Sequence, residues 1–162
     1  MARLPDRFDL WVRKARESRD PARQIDYVLG ALIGLEAWHF LNIGTQETPA
    51  PAEAEIGGER QLLVFTDVGR IQEILEEGGR RGGPLPVITI PSAAAMVWCM
   101  DRQKEGCAGL LVNPGEDAVL IPMPQVAAFH ADWAQQGGAL SCGFWIPNLT
   151  SEEEDFWQEH GL

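Results

Sequence analysis

Two short apolar runs on either side of a turn constrain the fold of this chain most. Residues 109–112 and 118–121 are four-residue runs of mainly apolar side chains. The residues between them begin with Asn113, Pro114, Gly115 and Glu116. Proline at the second turn position and glycine at the third are typical of a type II turn. The pattern predicts a β-hairpin, and a bulge would fit it because type II turns splay twisted strands.

Short apolar runs alternate with helical patterns along the rest of the chain. Apolar residues at helical spacing over 8–12 and 25–35 predict two helices that are separated at Asp20-Pro21. Further helices are predicted over 68–77, 92–104, 124–136 and 151–160. Short apolar runs predict further strands over 37–43, 62–65, 86–91 and 144–146. Strands that alternate with helices, together with one hairpin, predict an α/β fold of mixed α+β character, in which helices cover a mixed sheet.

Polar residues at the starts of the predicted helices suit helix caps. Asp20 precedes Pro21, and Asp67 and Ser92 precede the next two apolar helical faces. Ser151 with Glu154 three residues later has the pattern of a capping box. For Asp67, this predicts a structural role as a helix cap.

The chain is predicted to form one domain over 1–162. It divides into a helical N-terminal segment, 1–35, an α/β body, 36–148, and an acidic C-terminal helix, 149–162. Within the body, residues 44–59 contain two prolines and a Gly-Gly pair, and we expect a mobile loop there.

The charge of the chain is strongly negative and unevenly distributed. Thirteen basic and 24 acidic residues give a net charge of -11, which disfavours nucleic acid and anionic membranes as partners. Residues 1–23 carry seven basic and four acidic side chains, a balance of +3, whereas the remainder carries -14. We expect the N-terminal helix to dock on the acidic body through Phe8 and Trp11; an acidic partner protein is the alternative.

The cysteines indicate a reducing compartment. Cys99, Cys107 and Cys142 are too few and too irregularly spaced for a disulfide framework or a paired metal site. We therefore expect no metal and no cofactor. The N-terminus has no signal-peptide pattern and no apolar run approaches the length of a membrane span, so a cytoplasmic location is expected.

Several segments between residues 30 and 133 together resemble a known family. They are a helix that runs into a strand over 32–43, Leu-Leu-Val-Phe-Thr-Asp at 62–67, a helix rich in small residues over 92–101, and Gly-Leu-Leu-Val-Asn-Pro-Gly at 109–115. This pattern is similar to the SseB protein N-terminal domain, named after a bacterial protein of enhanced serine sensitivity. The resemblance implies a bacterial α/β domain without an established catalytic activity.

Three residues are weak candidates for catalysis. Asp67 follows a strand, at the edge where α/β sheets place ligands, His39 lies in a predicted strand, and Cys107 lies at a helix exit. Each also has a structural interpretation, as a cap, a half-buried histidine or a small core residue. A small hydrolase or transferase with these residues in a cleft at the sheet edge is the alternative function.

The C-terminal segment is the expected interaction surface. Aromatic side chains are frequent at contact hot spots, and a ten-residue helix is too short to be stable alone. We expect it to dock on its own chain, with a second copy of the chain as the alternative. We expect a non-enzymatic interaction or regulatory module, with a homodimer or an obligate homo-oligomeric subunit as the alternative. The surface comprises Trp145, Phe156 and Trp157 with Glu152, Glu153, Glu154 and Asp155.

Overall fold

The fold combines helices and sheets in two compact units. The computed structural model describes residues 7–79, 83–115, 118–136 and 145–160. The units are Met1–Glu36 with Gln125–Leu162, and Ala37–Pro124. The predicted mixed α/β class is confirmed, whereas a single domain over 1–162 stays a prediction.

In the described part of the chain, the elements of the first unit are helices, and the second unit contains all the strands. The helices are α1 (Arg7–Glu17), α2 (Pro21–Ile33), α3 (Val68–Glu77), α4 (Ser92–Arg102), α5 (Met123–Gln135) and α6 (Ser151–His160). The strands are β1 (Ala37–Leu41), β2 (Glu53–Ile56), β3 (Glu59–Val64), β4 (Val87–Pro91), β5 (Cys107–Val112) and β6 (Val119–Pro122). Within the described ranges, no helix combines the length and the apolar character that crossing a bilayer requires.

A helix cap at Asp20 separates α1 from α2, and the two helices pack together. The Asp20 side chain accepts a hydrogen bond from the Ala22 amide at 3.0 Å, and Pro21 is the first residue of α2. This confirms the predicted cap and the break between the helices. Phe8 and Trp11 of α1 are buried, as expected of docking residues, and α1 packs along α2.

The second unit contains two sheets that are joined by bridges. One has the order β2-β3-β5-β6, in which only β3 and β5 are parallel, and the other is the antiparallel pair β1-β4. His39 forms a bridge to Phe65, and Asn42 forms one to Pro51. Trp98 of α4 packs edge-on against Phe40 of β1, with ring centroids 4.7 Å apart.

Three local predictions are wrong. The expected loop 44–59 contains β2, which turns into β3 through Gly57 and Gly58, both with positive φ as a two-residue hairpin turn requires. Ser92 is the first residue of α4 and Pro91 occupies the cap position. At the predicted strand 144–146, residues 145 and 146 are not in a strand, and residue 144 lies outside the described residues.

The hairpin predicted at residues 109–121 is confirmed. β5 and β6 pair antiparallel, with Val112 opposite Val119. Gly115 has a φ of 136° and Asn113 a φ of 50°, so both use the left-handed half of the backbone map. Glu116 lies outside the described residues.

Asn113 also joins the ends of the two parallel strands. Its Oδ1 accepts a hydrogen bond from the Thr66 amide at 3.0 Å, and its Nδ2 donates to Thr66 Oγ1 at 3.1 Å. Both residues are buried. The Phe-Thr segment after β3 and the Asn-Pro-Gly segment after β5 are therefore in contact.

We expect Asn113→Ala to lower the free energy of unfolding by about 2 to 3 kcal/mol. The substitution leaves the buried Thr66 amide without its hydrogen-bond acceptor and places alanine at a positive φ. Asn148→Ala is the matched control, because Asn148 has a φ of 54° and is exposed. Urea denaturation of both variants checks this. Equal losses would show that the amide contacts contribute nothing beyond the backbone.

Candidate functional site

The N-terminus of α6 is closed by a reciprocal pair of hydrogen bonds. Thr150 Oγ1 accepts from the Glu153 amide at 3.2 Å, and the Glu153 carboxylate accepts from the Thr150 amide at 2.9 Å. The predicted box of Ser151 and Glu154 is therefore wrong by one residue. The shift places Glu153, rather than Glu154, against the body of its unit.

Arg23 of α2 holds both Glu153 and the turn that precedes α6. Its Nε donates to Glu153 Oε2 at 2.9 Å, and its Nη2 donates to Oε1 in a bidentate pair. The same guanidinium donates to the carbonyl oxygens of Pro147 at 2.6 Å and Asn148 at 3.0 Å. One side chain therefore fixes the entry and the first turn of α6.

Arg23 is half-buried and Glu153 is buried, and hydrogen bonds keep the Glu153 carboxylate ionised. Glu153 is 5% exposed. Burial alone would raise the pKa of Glu153, but hydrogen bonds from Arg23, Tyr27 and Thr150 outweigh it and lower the pKa to about 2. Burial and the bond to Glu153 raise the pKa of Tyr27 to about 12. Asp26 also contacts Arg23, at 3.3 Å, and burial raises the pKa of Asp26.

An aromatic cluster holds the middle of α6. The ring of Phe156 packs edge-on against Trp11 at a centroid distance of 4.8 Å, and Trp11 stacks on Tyr27 at 5.8 Å. The Lys14 ammonium lies 5.0 Å from the centre of the Phe156 ring, a cation–π arrangement. The expectation that the C-terminal helix docks on its own chain is therefore confirmed for its contacts with α1 and α2.

The predicted interaction residues fall into four groups. Glu153 and Phe156 face α1 and α2, whereas Trp145 is half-buried against Phe129, with centroids 5.2 Å apart. The side chain of Trp157 lies outside the described part of the chain. The exposed members are Glu152, Glu154 and Asp155.

Two of the three catalytic candidates lie near each other in the second unit. His39 Nδ1 is 2.9 Å from Thr89 Oγ1, its direct cross-strand neighbour. Burial lowers the pKa of His39, and the charge of Asp67 opposes that shift. Asp67 accepts from the amide of Arg70 at 3.1 Å and from its Nε at 3.3 Å, which confirms the predicted cap of α3.

Cys107, the third candidate, makes a contact of its own. It is buried, and its Sγ donates to the Gly109 carbonyl oxygen at 3.3 Å. Burial raises the pKa of Cys107, and it also raises that of the buried Cys99. Both thiols are therefore held in the protonated form, which is a poor nucleophile.

In a Cys142→Ser variant we expect neither remaining thiol to react rapidly with Ellman's reagent at neutral pH. Burial blocks the reagent and disfavours the thiolate. Two equivalents should react once guanidinium unfolds the chain. A rapid reaction of one thiol per folded chain would contradict this account of Cys107 or Cys99.

Sequence reasoning missed Arg23 and Tyr27. They are separated from Glu153 by more than a hundred residues, and no local pattern pairs them. Among the described residues, no group of His, Cys, Asp and Glu side chains could hold a metal ion. Comparisons with known proteins return no match, whether to a family model, a curated protein or a solved structure.

Proposed function

We propose that this chain is a protein-interaction module of the bacterial cytoplasm, SseB-like in fold and without catalytic activity of its own. The observation that carries the proposal is the anchoring of α6. Arg23 binds Glu153 of this helix, and Trp11 packs against Phe156. Three carboxylates of the helix are exposed: Glu152, Glu154 and Asp155.

A fixed helix with an acidic outer face suits a basic protein surface. Because the helix is already docked on its own unit, binding would cost less ordering entropy than binding of a free segment. Electrostatic steering toward a chain with a net charge of -11 would speed the encounter with a cationic partner.

A capture experiment tests the proposal. The immobilised chain is exposed to extract of its own cell, and retained proteins are quantified by mass spectrometry. We expect Glu152→Gln/Glu154→Gln/Asp155→Asn to lose the main retained protein. The control removes the same charge from α3, where Glu73, Glu76 and Glu77 are exposed, by Glu73→Gln/Glu76→Gln/Glu77→Gln. Equal retention by both variants would contradict the proposal.

A small hydrolase or transferase is the second candidate, favoured by the 2.9 Å contact between His39 and Thr89 and the nearby charge of Asp67. A hydroxyl beside an imidazole is an arrangement that supports acyl or phosphoryl transfer. It predicts turnover of p-nitrophenyl esters or phosphates that is lost in both His39→Gln and Thr89→Val. Absence of turnover by the unaltered chain would remove this candidate.

A further inference from the structure

We propose that the outer edge of β4 pairs with the same edge of a second copy of this chain, so that two antiparallel β1-β4 sheets join into one continuous sheet. This interface lies in the second unit and involves none of the α6 residues of the proposed interaction surface. It follows from the backbone hydrogen bonds of β1 and from the sequence of β4, which reads Val-Ile-Thr-Ile-Pro.

The hydrogen bonds of β1 determine which backbone groups of β4 face outward. The His39 amide donates to the Phe65 carbonyl oxygen at 3.0 Å, and the His39 carbonyl oxygen accepts from the Phe65 amide at 2.8 Å. Both groups of His39 therefore point away from β4, and its cross-strand neighbour Thr89 belongs to a non-hydrogen-bonded pair. Thr89 directs its amide and its carbonyl oxygen outward. Because the pattern alternates along the strand, Val87 and Pro91 also direct their backbone groups outward.

The outward edge of β4 is open to another strand. Within the described ranges, β1 is the one strand that pairs with β4. Exposed edges are usually blocked by charged side chains or bulges, but residues 84–91 contain no charged residue, and the β1-β4 register has no irregularity. An edge of this kind can extend its sheet by adding a strand.

The sequence of β4 favours a second copy as the added strand, because it is nearly symmetric about Thr89. Antiparallel pairing about this residue places Thr89 opposite Thr89 of the second copy, and Val87 of each copy opposite Pro91 of the other. Every outward amide of β4 then donates to a carbonyl oxygen of the other copy. Pro91 lacks an amide, so it acts only as the acceptor for Val87.

Side-chain packing favours the same register. Ile88 lies opposite Phe40, and the ring of Phe40 packs against Trp98 of α4, so Ile88 and Ile90 lie on the face of the sheet that α4 covers. Both isoleucines are half-buried in the single chain. In the symmetric register, Ile88 of each copy lies beside Ile90 of the other, in non-hydrogen-bonded pairs where side chains approach most closely. Association therefore removes apolar surface of both residues from water.

The charge distribution also directs a second copy to this edge. A net charge of -11 opposes close approach of two copies through their acidic surfaces. Residues 37–43 and 84–91, which include both strands of this sheet, contain no Lys, Arg, Asp or Glu. Because the interface is small and the chains repel at longer range, we expect a reversible dimer with a Kd of about 10 to 100 µM. Added salt should strengthen the dimer, because salt screens that repulsion.

Sedimentation velocity of charge variants at residue 89 tests the proposal. The unaltered chain should change from monomer to dimer between about 5 and 500 µM. Thr89→Asp and Thr89→Lys each place like charges opposite one another at the centre of the interface, so each variant alone should raise the Kd about tenfold. An equal mixture of the two variants places opposite charges there and should restore the dimer.

Control variants separate this interface from general effects of charge and folding. Thr89 is exposed, so its variants should fold, and circular dichroism verifies this. Thr89→Val keeps a β-branched side chain and the backbone amide, so it should dimerise like the unaltered chain. Leu120 of the β6 edge is 44% exposed. Leu120→Asp and Leu120→Lys should therefore leave the Kd unchanged to within about twofold.

The proposal is overturned if the unaltered chain remains a monomer at about 500 µM. It is equally overturned if Thr89→Asp and Thr89→Lys dimerise as tightly as the two Leu120 variants, or if their mixture associates no more tightly than either variant alone. These measurements use the purified chain without another protein. Capture of a partner by α6 therefore succeeds or fails independently of them.

Discussion

Replacement of Gly109 by alanine should lower the free energy of unfolding by about 3 kcal/mol and the melting temperature by about 10 °C. A Cβ at this position would lie 2.4 Å from the Ile121 carbonyl oxygen and 2.8 Å from Gln61 Oε1. The Ile121 oxygen belongs to the backbone of β6, so it cannot move aside as a flexible side chain would. The strands β5 and β6 must separate, and the ladder between them weakens.

Gly78→Ala is the matched control for this substitution. Gly78 has a φ of -77°, and a Cβ there would meet its nearest atom at 3.5 Å, an ordinary van der Waals contact. We expect Gly78→Ala to change stability by less than about 0.5 kcal/mol. Thermal melts of both variants by circular dichroism provide the comparison. Equal melting temperatures would show that the close approach of β5 and β6 does not constrain residue 109.

Arg23→Gln should release α6 from α1 and α2. The substitution leaves the Glu153 carboxylate buried without its cation, which costs about 3 kcal/mol for pairs of this kind. Hydrogen exchange should therefore show a drop of about a hundredfold in the protection of the α6 amides. The strands should keep their protection, because the hydrogen bonds of the Arg23 side chain go to α6, to the turn before α6 and to Asp26 of its own helix.

Two further variants distinguish the effect of breaking the ion pair from the effect of removing one positive charge. Arg13 is exposed on α1, so Arg13→Gln removes the same charge and should leave α6 protected. Arg23→Gln combined with Glu153→Gln should recover much of the lost protection, because no charge is then buried unpaired. If Arg23→Gln and Arg13→Gln behave alike, the pair does not hold α6.

The sequence predicted best those features that neighbouring residues determine. The caps at Asp20 and Asp67 and the turn at Gly115 depend on residues within four positions of each other. β2 was missed because its residues, Glu-Ala-Glu-Ile, are mostly exposed and lack the apolar character of a buried strand. The pair Gly57-Gly58 was the available signal for its hairpin.

The contacts that make up the candidate site could not be predicted in this way. Arg23 and Glu153 are 130 positions apart, and Thr66 and Asn113 are 47 positions apart, so only the tertiary fold brings each pair together. The offset of the capping box had a physical cause. Thr150 and Ser151 are both suitable caps. Arg23 binds Glu153, and this places Glu153 three residues after Thr150 as the cap partner.

If the ion pair of Arg23 and Glu153 holds α6 in place, the ionisation of Glu153 must show it. The pKa of this carboxyl is about 2 in the folded chain against an ordinary value of 4.5. The ionised carboxylate, bonded to Arg23, Tyr27 and Thr150, therefore stabilises the folded chain by about 3 kcal/mol, and this contribution is fully present above pH 4.5. That contribution decreases as the pH falls from about 4.5 toward 2.

The decisive measurement is a carbon-13 NMR titration of the Glu153 side-chain carboxyl in the full folded chain. We expect no titration near pH 4.5 and a midpoint near 2 or at acid unfolding, whichever comes first. In Arg23→Gln the same signal should titrate at a higher pH. A midpoint near 4.5 in the unaltered folded chain, unchanged by Arg23→Gln, would contradict the claim that this pair holds α6 on α1 and α2.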